Sequence, residues 1–183
     1  MLDTSKVAPC PNHYDHPYRF DELSLGTGSN EQPYFRALVF FNKKPDVTAN
    51  FFHEHWKSVH ADLTLQTPGA GANLVRYVQF HQDAKHVNDL QPLLEASGGS
   101  MHIMPYDGCA EFHAKSAEDF TAFMKSVWTS DNLVGCGKRF ADTTQGYHVM
   151  VGYDNLIFGS AIPITGGADG ILAGDTRLKT SHK

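Results

Sequence analysis

Between Tyr34 and Phe41 the chain runs Tyr-Phe-Arg-Ala-Leu-Val-Phe-Phe, β-forming throughout and apolar on both faces toward its end. A strand of that kind has to be covered on two sides, so it belongs inside a sheet that carries another layer. Lys43-Lys44-Pro45-Asp46 reads as a turn after it, and Thr48 as the N-cap of a helix. Phe52, Trp56, Val59 and Leu63 recur at helical spacing and define the face that this helix is expected to bury. It should end near Gln66, before Pro68-Gly69.

A second unit follows the first. Leu74 to His81 alternates as a strand, Asp107 to Ala114 reads as a third, and Gln145 to Tyr153 as a fourth. Residues 83–104 are too long for a hairpin, with a short helix expected from Val87 to Leu94. Ser116, with Asp119 three residues later, matches a capping box; Phe120, Phe123, Met124 and Val127 supply the buried face of the helix it opens. The order β-α-β-β-α-β is the ferredoxin-like split arrangement, an α+β fold, expected over residues 34–159. Its sheet carries helices on one face only, and a second copy of the chain is expected on the other, giving a homodimer. Residues 1–33, punctuated by Pro9, Pro11, Pro17 and Pro33, read as an extended N-terminal arm. Residues 160–183, rich in glycine and small polar residues, read as a C-terminal tail.

Composition narrows the functions. With 183 residues and 41% hydrophobic content, the chain can build one ordinary core. A net charge of −5 and no long basic block argue against nucleic acid or an anionic membrane as partner. No run of about 18 apolar residues is present to span a bilayer, and the N-terminus lacks the order of a signal peptide. Cys10, Cys109 and Cys136 form no CxxC pair; they read as reduced thiols of a cytoplasmic protein, packed as small core residues.

Eleven histidines are the compositional outlier. His60 lies one position past the buried stripe, where partial burial can tune an imidazole that a small molecule still reaches. His53 and His55, two apart, fall on different helix faces, and His53 and His60 lie about 10 Å apart along the axis. No metal site is therefore expected on this helix, His53 and His55 read as solvated, and the chain is taken to work without a cofactor. His81 and His113 sit near the ends of the second and third strands, and Glu111 shares a strand face with Asp107, Cys109 and His113. His60, Glu111, His113 and His81 are the acid–base candidates. Phe52 and Trp56 are expected to wall a substrate pocket, with Tyr77 and Tyr106 to hold a carbonyl. Arg36 is a candidate for pairing a carboxylate, and His148 is a further binding candidate.

With these elements in order, the chain resembles the EthD family of dimeric α+β barrel proteins. The resemblance rests on Leu38-Val39-Phe40-Phe41, on the helix carrying Phe52, Trp56 and His60, and on Tyr106-Asp107-Gly108 leading into Ala110-Glu111-Phe112. Ser116 to Phe123 and Lys138-Arg139-Phe140-Ala141-Asp142 add to it, so that it spans roughly residues 34 to 155. It implies a dimer with a pocket between each sheet and its helices, and an enzyme that acts on a small molecule without metal. Fungal relatives are associated with decarboxylation, dehydration or cyclisation of aromatic polyketides, which implies a lyase or cyclase of secondary metabolism. Two other functions fit the same superfold. One is a haem-binding protein with His60 or another buried histidine as axial ligand; the other is a non-catalytic binding module for hydrophobic metabolites.

Overall fold

The first strand, β1 (Phe35–Phe41), buries Ala37, Val39 and Phe41 on one face and turns Arg36, Leu38 and Phe40 to the other. In the computed structural model, which describes residues 17–24 and 30–178, it lies in the interior of a four-stranded antiparallel sheet of order β2-β3-β1-β4. The partners are β2 (Leu74–His81), β3 (Gly108–Ala114) and β4 (His148–Gly152). With helices between β1 and β2 and between β3 and β4, this is the expected ferredoxin-like topology. Expectations for residues 1–16, 25–29 and 179–183, Cys10, Pro9 and Pro11 among them, lie outside the described residues.

Thr48 caps helix α1 (Ala49–His55), its hydroxyl accepting from the Phe51 N–H at 3.1 Å. The helix does not continue as a regular α-helix. It passes through a π-helical turn (Trp56–His60) into α2 (Ala61–Leu65), and Gln66 closes it. This turn overturns part of the expected stripe: Val59 is 48% exposed, Leu63 is only partly buried, and Thr64 takes the buried place. In an α-helix, four residues overshoot one turn by about 40°. The wider π-turn removes the overshoot and brings His60, then Thr64, under Trp56 on the inner face.

Short helices α3 (Ala70–Asn73), α4 (Ala84–Asp89) and α5 (Gln91–Ala96) follow, the last two replacing the single short helix expected over 87–94. Ser116 caps α6 (Ala117–Thr129) through the Asp119 N–H, as the capping box requires. Ser130 then caps α7 (Asp131–Phe140), a helix absent from the sequence reading; Leu133, Cys136, Gly137 and Phe140 are its buried positions. Before β4 the Asp142 carboxylate accepts from the Thr144 N–H and hydroxyl. The turn so formed delays the strand to His148, three residues later than expected.

Helices α1–α2, α6 and α7 cover one face of the sheet, and the core lies under them: Val39, Phe41, Phe52, Trp56, Phe112, Phe123 and Phe140 form one cluster. The Tyr106-Asp107-Gly108 entry to β3 is tied to the end of β1, because the Asp107 carboxylate accepts from the Lys43 N–H while the Asp107 N–H donates to Asn42. Gly108 has a steric reason for lacking a side chain: a Cβ there would lie 2.5 Å from the Trp56 ring. Beyond β4 the chain returns to the arm. Residue Asn155 bridges Glu31, the Asn30 amide donates to the carbonyls of Leu156, Ala168 and Asp169, and Arg177 pairs with Glu22 and Asp175. Gly108→Ala should lower stability by about 1–3 kcal/mol through overpacking against Trp56. Urea denaturation monitored by tryptophan fluorescence checks this.

Candidate functional site

A cavity of about 400 Å³ opens between the helices and the covered face of the sheet. Val39, Phe41, Ala110 and Phe112 form its floor, and α6 and α7 contribute apolar walls through residues such as Met124, Trp128 and Leu133. Trp128 is 67% exposed, and with exposed Tyr147, Val149, Lys125 and Lys138 it places the mouth between the helices and the β4 edge. Three polar side chains come from the helix and the adjoining strand: His60, Thr64 and Tyr77.

The π-turn carries His60 into this cavity, edge-on to Phe140 with ring centroids 4.9 Å apart. Its imidazole makes no hydrogen bond to a described residue, and Nδ1 is sealed from solvent. Burial, reinforced by nearby His55, holds its pKa down at about 4. The ring is therefore neutral at pH 7, with one unsatisfied nitrogen in an apolar place, where an unmade hydrogen bond is costly. Tyr77 stacks on Phe112 at 4.8 Å, and its hydroxyl accepts from the Gln79 amide at 2.8 Å. Burial pushes the Tyr77 phenol up despite neighbouring Gln79, Trp56 and Thr64, so it keeps its proton. A neutral base and a protonated phenol in one water-poor cavity can move a proton and hold an oxygen that gains charge.

Of the candidate residues, the structure gathers His60, Trp56 and Tyr77 at the cavity. Phe52 stands behind it, wholly buried against Trp56 and Phe140. His81 lies on the same side of the sheet but does not line the cavity; its ring packs 4.3 Å from Trp56, and its Nδ1 is 2.8 Å from Nδ1 of His53. Burial and the nearby His53 hold His81 at about 4 as well. Neither His53 nor His55 is simply solvated, since His55 Nε2 lies 3.2 Å from the Cys136 thiol.

The remaining candidates sit on the opposite face of the sheet. The β2–β3 register places His81 opposite Gly108 and His113 opposite Arg76, at different ends, so these two histidines do not meet. Glu111 accepts from Arg36 Nη2 at 2.8 Å, and Asp154 accepts from Arg36 Nη1 at 2.6 Å and from the Tyr34 hydroxyl at 2.9 Å. His113, only 4% exposed, packs edge-on against Tyr34, and burial beside Arg36 lowers its pKa. Tyr106 and His148 are neighbours beside Phe40, again away from the cavity. Thr64 and Gln79 are site residues that the sequence reading omitted. Their signal was position alone: Thr64 lies four residues beyond His60, and Gln79 shares a strand face with Tyr77.

A split β-α-β-β-α-β domain with a one-sided apolar cavity, floored by its sheet and served by a helical histidine, is the class of protein that these features define. The EthD domain family model matches residues 44–144, and the chain belongs to that family. Among solved structures, an ethyl tert-butyl ether d (EthD) family protein from Bacillus halodurans is 18% identical and aligns over 66% of this chain and 98% of its own, with a TM-score of 0.38. A dimeric protein of unknown function and ferredoxin-like fold from Bacteroides fragilis is 12% identical over 68% and 99%, with a TM-score of 0.33. No curated protein matches the chain. No helix among the described residues is long and apolar enough to cross a membrane.

The low pKa of His60 sets a pH dependence of stability. The unfolded chain takes up the His60 proton near 6.5, whereas the folded one refuses it until about 4. Stability due to this residue is therefore full above pH 6.5 and is lost as pH falls toward 4. His81 acts in the same direction over the same window. In His60→Gln the urea midpoint should fall less between pH 6.5 and 4 than in the wild type, as parallel denaturation series will show.

Proposed function

We propose that this chain is an acid–base enzyme without metal or organic cofactor, a lyase or cyclase acting on a small aromatic or polyketide-derived substrate. Decarboxylation, dehydration and ring closure share one requirement: a carbonyl-stabilised carbanion or enolate must form and then be discharged. The observation that carries the proposal is the presence, in the same apolar cavity, of a protonated phenol and a neutral imidazole that has no hydrogen-bond partner among the described residues. His60 takes the proton from carbon or hydroxyl, and the Tyr77 hydroxyl donates to the carbonyl oxygen as charge builds there. The imidazolium so formed then returns its proton to the carbanion after loss of CO₂, to departing hydroxide in dehydration, or to the new alkoxide in ring closure. Aromatic walls favour a flat conjugated substrate, which supports a place in polyketide metabolism.

The proposal includes a homodimer in the cytoplasm. On the uncovered face of the sheet Phe80 is 58% and Met150 is 59% exposed. They flank the Arg36–Glu111–Asp154 network, a mixed polar and apolar surface suited to a symmetric copy of itself. Sedimentation at micromolar concentration should give a dimer for the wild type and a monomer for the Phe80→Glu, Met150→Glu double variant. A wild-type monomer rejects this part.

The enzymatic reading is tested by incubating wild type, His60→Gln and Tyr77→Phe with a panel of aromatic β-keto acids and poly-β-ketones. Mass spectrometry follows loss of CO₂, loss of water, or an isomer of unchanged mass. His60→Gln should lose about 10²–10⁴ in kcat and Tyr77→Phe about 10²–10³. Because His60 must be neutral to act, kcat/KM should stay level from pH 7 to 5 and fall only near 4. Tight binding across the panel without turnover would replace the enzyme with a binding module.

A further inference from the structure

Behind Tyr77 runs a chain of hydrogen bonds whose direction the backbone dictates. Gln79 Nε2 lies 3.0 Å from the Trp56 carbonyl oxygen and 2.8 Å from the Tyr77 hydroxyl. A backbone carbonyl only accepts, so the nitrogen side of the Gln79 amide has to face it, and the Tyr77 oxygen is then an acceptor too. The amide oxygen, Oε1, is left for His81 Nε2 at 3.2 Å. An amide oxygen likewise only accepts; His81 must carry its proton on Nε2 and present a bare Nδ1. His53 Nδ1, 2.8 Å away, must supply the proton between the two rings. The donors of His53, His81 and Gln79 therefore all point toward the Tyr77 oxygen, and the phenol proton is left for the side on which Thr64 and the cavity lie.

We infer that Gln79, His81 and His53 are positioning residues that lock the Tyr77 hydroxyl as a hydrogen-bond donor to the cavity, so that the ligand atom bound there is an acceptor, a carbonyl or enolate oxygen. The anchor of the chain is the π-turn: the Trp56 carbonyl accepts both the Ala61 N–H and the Gln79 amide. Reversal would set the Gln79 oxygen against the Trp56 carbonyl oxygen, a contact of two acceptors. Locked in this direction, the site discriminates against ligands that offer only a donor or an apolar group at this point, whose arrival leaves the phenol proton unpaired. His53 lies three hydrogen bonds and an amide away from Tyr77, and an amide passes orientation rather than protons.

The inference rests on the role given to Tyr77 above, and its first test needs no turnover. Long-range ¹H–¹⁵N correlation spectra of the wild type at pH 7.5, assigned with His53→Gln and His81→Gln, report which ring nitrogen bears each proton. His81 as the Nε2–H tautomer and His53 as the Nδ1–H tautomer is the expected result; His81 as Nδ1–H reverses the chain and overturns the inference. The second test compares binding of 2-acetylnaphthalene with that of its carbon isostere 2-isopropenylnaphthalene by tryptophan fluorescence. The ketone should bind about fivefold to tenfold tighter to the wild type. Gln79→Glu, which turns the Tyr77 proton toward its own carboxylate, should abolish that preference. So should Tyr77→Phe, and combining the two should cost nothing more. A ketone preference that survives Gln79→Glu overturns the inference. Correct tautomers and a lost preference, with no turnover on any substrate, would reject the enzyme while leaving the positioning chain in place.

Discussion

The Trp56 indole against the backbone of Gly108 is the contact on which the other features depend. It joins the helix to the start of β3, fills the space between Phe41 and Phe52, and lies over His81. Burying a side chain of this size contributes about 5 kcal/mol of hydrophobic free energy, a large part of what holds a domain of this size together. The same residue begins the π-turn, and its carbonyl anchors Gln79. Stability and site geometry thus pass through one residue, and the glycine opposite is required by the close approach rather than by backbone conformation.

The sheet sorts its ionisable groups by face. Strand alternation sends Ala110 and Phe112 of β3 to the covered side and Cys109, Glu111 and His113 to the other. Within the covered layer, burial keeps the His60 and His81 imidazoles neutral. On the open face, charges are retained because Arg36 meets two carboxylates. The cavity interior is accordingly a place for moving protons between neutral groups, while fixed charge is held to its mouth, at Lys125 and Lys138, and to the far side of the sheet.

The strands and caps were legible because their signals are local. β2 follows the alternation from Leu74 to His81, and Thr48 and Ser116 cap the helices as their side chains suggest. Helix α7 escaped because Gly135 and Gly137 interrupt an otherwise helical spacing of Leu133, Cys136 and Phe140. The stripe through Val59 failed because a π-turn leaves no period of its own in a sequence. Its effect is to make His60 and Thr64, polar residues, take inner positions that a regular helix assigns to Val59 and Leu63. His60, Trp56 and Tyr77 could be named in advance from residue type. That Glu111, His113, Arg36, Tyr106 and His148 lie elsewhere depends on which face of each strand the helices cover, and strand alternation specifies two faces without saying which is inner.

A π-turn is a helix with one residue too many for its rise. Deleting a single residue between Trp56 and His60 would return the segment to a regular α-helix, leaving the capping box of α6, the strand register and the tail untouched. His60 would then stand three residues beyond Trp56 and keep its inner place, because the π-turn is what absorbs the extra residue. A chain with this fold can therefore change the spacing from tryptophan to histidine by one residue without moving the imidazole out of the cavity, and relatives aligned without a gap at this point would be compared in the wrong register.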